Sequence, residues 1–455
     1  MKKIFIPFIA FSLLAGSCSK ELNLTPSDQI DISKAFTSVE DLEKGLLGVY
    51  AANGKTNKVY IGSILADEAK ISSENRGQGQ FTFKWQFSAA QGEHNSAFGQ
   101  YYVMMDRLHR VLEAIDLVTT GDNTKKAKIR AELIGLRGVA LYESLIHFMP
   151  PGYDPNALGI AIMLKSDIAA KPARNKVGEV LTQIEADLAT ARASADIPNA
   201  PTDVLRLSKA TIAAYQARVA LLKKDWAAAN TYATDAITLS GKTLATGSTY
   251  TSYWSDVNES ETLWKYRNSS TPQLLWRDVN GDVFFEPSDK LKSQFNRTAD
   301  IRFNAFFGAA SGDTSIVKKY PGSPLGPQIN DLKIVRLSEL YLLRAEANAE
   351  LNQLTQASAD LNAVRTARIT GYTNITLATK DEAIIAILNE RFKELCFEGF
   401  RFFDLKRRNL PVLRNASDVG STTWQTLAAG DFRFTLPIPQ EEIFANPNAQ
   451  QNPGY

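Results

Sequence analysis

The same helical hairpin pattern occurs twice in this chain, and it limits the fold more than any other feature. Tyr215, Val219 and Leu222 recur at helical spacing, a polar turn spans residues 223–225, and Trp226, Ala229, Ala233, Ala236 and Ile237 carry the period onward. The design returns at Leu343, Ala345 and Ala347, followed by a turn around Asn352 and Gln353 and then by Leu354, Ala357, Leu361 and Val364. The two copies align without gaps. Such a pair leaves an apolar stripe that it cannot bury alone, so it must stack on further helices. These are predicted over residues 38–52, 97–118, 125–147 and 380–403, and along the stripe Val177, Val180, Leu181, Ile184 and Leu188. The chain is therefore expected to be mainly α.

Both hairpins resemble tetratricopeptide units, whose small residues let two helices approach closely. The expected architecture is an α-superhelical scaffold of tetratricopeptide-like hairpins. The copies lie far apart in sequence, so a regular array is not expected. Residues 54–95 and 241–327 interrupt the helical period and are rich in Gly, Ser, Thr, Asn and aromatics. They read as long irregular loop insertions, and long loops held by rigid elements are where binding sites usually sit.

Lys2 and Lys3 precede an apolar run over residues 4–14, then Ala15, Gly16, Ser17 and Cys18. That order describes a secretory signal peptide over residues 1–17. The run is too short to span a bilayer, which needs about 20 residues. Cysteine after small residues is what the bacterial lipoprotein pathway modifies, so Cys18 is expected to carry lipid, residues 18–37 to form a tether and residues 38–455 to fold. Removing residues 1–17 takes Lys2 and Lys3 away and leaves 49 basic against 49 acidic residues. A nucleic-acid binder would carry a basic stripe, and none is visible. With 22% charged and 44% hydrophobic residues the chain is not disordered. Cys18 and Cys396 are the two cysteines, which excludes a disulfide scaffold; Cys396 is expected to be a buried small hydrophobe.

Phe81, Phe83, Trp85 and Phe87 alternate strictly, which on an extended strand puts four rings on one face. Such a face suits pyranose sugars, whose C–H groups stack on a flat ring while the hydroxyls seek polar partners. Glu74, Asn75, Arg76, Gln78 and Gln80 could supply those partners. The other reading is that the row packs the loop onto the helices, in which case Trp85 remains the best stacking candidate. Trp276, in the second insertion, is the second candidate; Trp226 and Trp424 read as packing.

Glu394, Glu398, Arg401, Asp404 and Arg408 form a charged ladder at helical spacing, with Glu398–Arg401 and Asp404–Arg408 as the expected pairs. Structural pairing, not general acid–base work, is the reading their Phe neighbours favour. His94, His109 and His147 are too scattered for a metal cluster, and no nucleotide, phosphate or nucleophile-elbow motif occurs, so no cofactor or metal is expected. A glycoside hydrolase using Asp67 and Glu68 is one rival reading, and a scaffold that binds no nutrient is another.

Residues 390–408 (ERFKELCFEGFRFFDLKRR), residues 334–347 (IVRLSELYLLRAEA) and the ending over residues 436–455, with Asn446-Pro447-Asn448, resemble the hallmark segments of the SusD/RagB family. Asp300 with Arg302, Tyr102 with Arg107, and Gly48-Val49-Tyr50 fall where similar proteins have them. Phe98 stands where the family usually has Trp, and His109 where it commonly has Asn. Trp254 and Trp264 look like its core-packing positions. The resemblance implies a mostly helical lipoprotein on the outer membrane, seated on a TonB-dependent transporter barrel. It also implies capture of oligosaccharides, or in some members peptides, without catalysis.

Overall fold

The computed structural model describes residues 32–52, 55–268, 276–278, 280–309 and 315–455, so the signal peptide and Cys18 lie outside the described residues. Most of the expected helices form within a few residues of their predicted ends: Val39–Ala51, His94–Ile115, Asn123–Phe148, Val177–Ala193, Lys209–Lys223, Trp226–Ser240, Leu337–Glu350, Leu354–Arg368 and Lys380–Glu394. Several start on a side-chain cap. Ser38 accepts from the Asp41 amide, Asp122 from the Thr124 and Lys125 amides, Ser208 from Thr211, and Thr379 from Glu382. Each cap satisfies amides that the helix cannot bond internally. No helix among the described residues is long and apolar enough to cross a membrane.

Successive helices pack as antiparallel neighbours, and the two repeat hairpins, distant in sequence, are stacked directly on each other. A regular array is not expected from their separation, and what the two copies form is one stacked pair. Ala217, Ala220, Leu221, Ala229 and Ala233 of the first hairpin share one buried cluster with Leu343 and Ala347 of the second. The alanines allow that close approach. Polar bonds fix the register: the Asn230 amide donates to Asn348 Oδ1 at 2.6 Å, and Arg344 Nη1 donates to Thr234 Oγ1 at 3.4 Å.

The helix predicted over residues 380–403 is broken. It runs from Lys380 to Glu394, stops, and resumes as Arg401–Arg408. Phe397 and Gly399 take positive φ values of 60° and 77° in the break. A Cβ on Gly399 would lie 2.6 Å from the Lys58 carbonyl oxygen, so the glycine lets this turn touch the backbone of Lys55–Ile64. The break also undoes the expected ladder. Glu398 pairs with Arg336 and Lys319, Arg401 with Asp67, Asp404 with Arg391 and Arg407, and Arg408 with Glu346 and Glu350. The roles are structural as expected, but apart from Arg407 the partners come from elsewhere in the chain.

The centre of this region is a fully buried charge network. Glu394 receives Arg302, Arg336 and Arg368, while Arg368 also binds Glu261 and Arg302 also binds Asp300 and Glu390. Removing one member would leave buried charge uncompensated, at a cost of about 3–5 kcal/mol.

The insertions are less irregular than their composition suggests. The first begins with the helix Lys55–Ile64. Its strand Ala69–Ile71 pairs antiparallel with Phe285–Pro287 of the second insertion, in the register Ala69 to Pro287. A second ribbon joins Thr262–Tyr266 to Leu332–Arg336, where Trp264 is wholly buried; Trp254 is buried nearby, so both are core residues, as the resemblance implied. Cys396 is buried as expected.

Candidate functional site

The two insertions meet along one seam. Below the paired strands, the Ser72 amide and the Asn75 side-chain amide both donate to the Phe284 carbonyl, at 3.1 and 3.0 Å. The Val283 amide donates to Glu74 Oε2 at 2.6 Å, and Arg76 pairs with Asp282. Asn75 also donates to the Gln78 carbonyl and accepts from the Gly77 amide and from Gln80 Nε2. Its hydrogen-bonding capacity is therefore spent within the protein. Gln78 Oε1 accepts from the Arg76 amide, and Gln80 Oε1 accepts from Lys84 Nζ. Of the polar residues singled out from sequence, Arg76 is the one that faces solvent most fully, with its side chain 70% exposed.

The aromatic row is not a strand. Residues 80–83 form a short helix entered through Gly79, and Trp85 follows in a left-handed conformation, φ 54°. Alternation is lost, and the rings divide. Phe83 is 1% exposed, Trp85 3% and Phe87 6%, whereas Phe81 is 45% exposed. Trp85 donates its indole N–H to the Leu65 carbonyl at 3.0 Å. Trp276 is 4% exposed and lies edge-on to Phe397, with centroids 5.2 Å apart. Phe83, Trp85 and Trp276 therefore lie in the core, and the ring left at the surface is Phe81.

Arg414, which sequence reasoning missed, holds this turn. Its guanidinium lies 3.8 Å from the Phe83 ring centroid and 4.1 Å from that of Trp85. It donates to the carbonyls of Ile64, Leu65, Ala66, Phe83 and Trp424. Burial without a carboxylate partner pulls it down to about 9. Trp424 is half-buried, and Lys84 Nζ sits 4.5 Å from its ring centroid. The seam thus presents one exposed ring, one exposed guanidinium and a flanking ammonium–indole pair.

Asp67 and Glu68 lie beneath this surface, both fully buried. Burial would raise Asp67, but Arg401 and then Lys290 outweigh it and hold the carboxyl at about 2. Burial lifts Glu68 to about 8, against the Phe397 amide that donates to it at 2.9 Å. Two enclosed carboxylates bonded to their own protein do not have the access that glycoside hydrolysis requires. No group of His, Cys, Asp and Glu suited to a metal occurs among the described residues.

A neighbouring groove of about 540 Å³ runs between residues 85–90 and the C-terminal segment, walled by Phe87, Phe432, Phe444 and Tyr455. Two of its polar side chains are spent. Gln451 bonds the Ile438 backbone in both directions, and Arg433 is held by Asp431. The groove is built by the first insertion and the C-terminal segment and not by both insertions, so the seam is the better candidate.

Comparison with known proteins places this geometry. The family model described as "SusD family" matches residues 324–455, and the one described as "Starch-binding associating with outer membrane" matches residues 22–221. A SusD-like protein of Formosa agariphila is 24% identical, the alignment covering 100% of this chain and 99% of the relative. A SusD superfamily protein of Bacteroides thetaiotaomicron superimposes with a TM-score of 0.83 at 25% identity, over 91% of this chain and 100% of the other. Surface glycan-binding protein A of Bacteroides uniformis superimposes with a TM-score of 0.72 at 18% identity, over 91% and 99%. The two family models cover the N-terminal helices and the C-terminal hallmark segments, the relative aligns end to end, and the folds coincide: the chain belongs to the SusD/RagB family.

Proposed function

We propose that this protein binds a glycan on the seam of its two insertions and delivers it to a TonB-dependent outer-membrane transporter. Lipid on Cys18 would hold the protein at the cell surface. The observation that carries the reading is the joining of the insertions into one surface, with Phe81 exposed in the same loop as Arg76 and Gln78. An exposed ring with polar groups at its edge is what a pyranose needs. The family description of starch binding and the glycan-binding relative support the same ligand class. The enclosure of Asp67 and Glu68 favours binding over turnover.

Stacking on a single ring adds about 0.5–1.5 kcal/mol beyond area burial, so modest affinity is expected, which suits a protein that must release its cargo. Isothermal titration of residues 19–455 against neutral oligosaccharides, with short peptides alongside, tests this. The expected result is saturable binding of an oligosaccharide recovered intact. Saturable binding of peptides alone would replace the ligand class, and a cleaved ligand would replace the mechanism.

A further inference from the structure

A narrow cavity of about 50 Å³ lies where the broken hallmark helix packs on the first repeat hairpin, away from the seam. Five cations reach its lining: Lys58, Arg218, Arg391, Lys406 and Arg407. Four are matched by carboxylates. Lys58 pairs with Glu143 at 3.0 Å, Arg218 with Glu339 at 2.6 Å, Arg391 with Asp404 at 2.8 Å, and Arg407 with Glu346 at 2.6 Å. Lys406 is not. It is 3% exposed and donates to the carbonyls of Ile146 and His147, with no carboxylate partner among the described residues. Lys406, when protonated, is therefore a cation of the cavity wall with no carboxylate to match it.

Two donors there are also unspent. Arg218 and Arg391 are each 4% exposed, and the Nη1 group of each is buried without a hydrogen-bond acceptor among the described residues, Arg218 Nη1 having only a charge partner in Glu143 Oε1 at 3.8 Å. Their other guanidinium nitrogens are used, on Glu339 and the Ile334 carbonyl for Arg218 and on Asp404 for Arg391. Both guanidiniums lie against the same Phe400 ring, with centroid distances of 5.3 and 5.9 Å. Leaving a buried charged donor unbonded costs more than leaving a neutral one unbonded. Water needs about 10–15 Å³, so the space can hold one or a few small species. Water would answer the N–H groups but not the unmatched charge.

We infer that this cavity binds a small inorganic anion of halide size, held by the Nη1 groups of Arg218 and Arg391 within the field of Lys406. Burial pushes the Lys406 ammonium well down, and an anion beside it would offset that.

Crystals of residues 19–455 grown with sodium bromide, measured at the bromine absorption edge, give the direct test. The expected result is an anomalous peak in the cavity within hydrogen-bonding reach of Arg218 or Arg391. In solution, bromide added at constant ionic strength should raise the melting temperature saturably. Arg391→Lys and Arg218→Lys keep the charge and remove the free N–H, and should abolish both the peak and the bromide-specific shift in proteins that still melt cooperatively. Cavity density without anomalous signal, or a bromide response unchanged in both variants, would overturn the inference.

Discussion

The Asn75 side chain donates to the Phe284 carbonyl at 3.0 Å, joining two insertions 209 residues apart. With its three other bonds, Asn75 organises the loop that carries Arg76 and Gln78 and is not itself free to meet a ligand. Asn75→Ala should destabilise the protein by about 1–3 kcal/mol, because buried partners lose their bonds. Hydrogen exchange would show faster exchange over residues 72–80 and at Phe285 if the seam loosens; unchanged protection there would argue that the paired strands alone hold it.

Phe81 and Trp85, four residues apart, should behave oppositely. Phe81→Ala removes a ring that is 45% exposed, so ligand affinity should fall about 5- to 10-fold with little change in melting temperature. Trp85→Ala removes a core ring stacked on Arg414 and should cost about 3–5 kcal/mol of stability. Parallel titrations and thermal melts separate the two. A soluble, fully stable Trp85→Ala protein would contradict the burial described here.

Glu68 gives a pH dependence whose sign is fixed. Unfolded, its carboxyl titrates near 4.5, whereas burial raises it to about 8 in the fold. Between those values the folded chain holds the extra proton, so this contribution is complete below about pH 4.5 and is lost as pH rises through about 8. Asp67 runs the other way: its folded value of about 2 lies below the ordinary 3.8, so its contribution is lost as pH falls through that range. Glu68→Gln keeps an oxygen for the Phe397 amide and cannot ionise. The variant should gain in melting temperature relative to the parent as pH rises from about 6 to 9. A pH-independent difference would mean that Glu68 is already ionised in the fold.

Arg414 reaches five carbonyls through a planar fork that lysine cannot reproduce. Arg414→Lys should therefore destabilise by about 1–3 kcal/mol, and it should weaken binding at Phe81 by loosening the turn beneath it. Chemical denaturation checks the first effect and titration the second.

The helices were legible because their signal is local: Val177 to Leu188 or Tyr215 to Ile237 shows its period within a few turns. The stacking of the two repeat hairpins was not, since it depends on Ala229, Ala233 and Ala347 meeting across a long separation. The break after Glu394 was hidden because Phe397 and Gly399 stand in a run with good helical spacing, and the interactions that stop it, from Glu68 and the Lys58 backbone, come from the first insertion. Alternation at Phe81 to Phe87 misled for a related reason. Gly79 and the left-handed Trp85 turn the chain, while Arg414, more than 300 residues away, draws Phe83 and Trp85 inward. Nothing in the sequence near Arg414 announces partners at Ile64 to Ala66. Which ring of an aromatic row stays outside is decided by such distant contacts.

If the seam between the insertions is the glycan site, a crystal structure of residues 19–455 with the oligosaccharide that binds in titration will hold the sugar there. A sugar ring should lie against the Phe81 face with hydroxyl groups bonded to Arg76 or Gln78. Sugar density confined to the groove of Phe432 and Phe444, or to any surface away from the insertions, would contradict it.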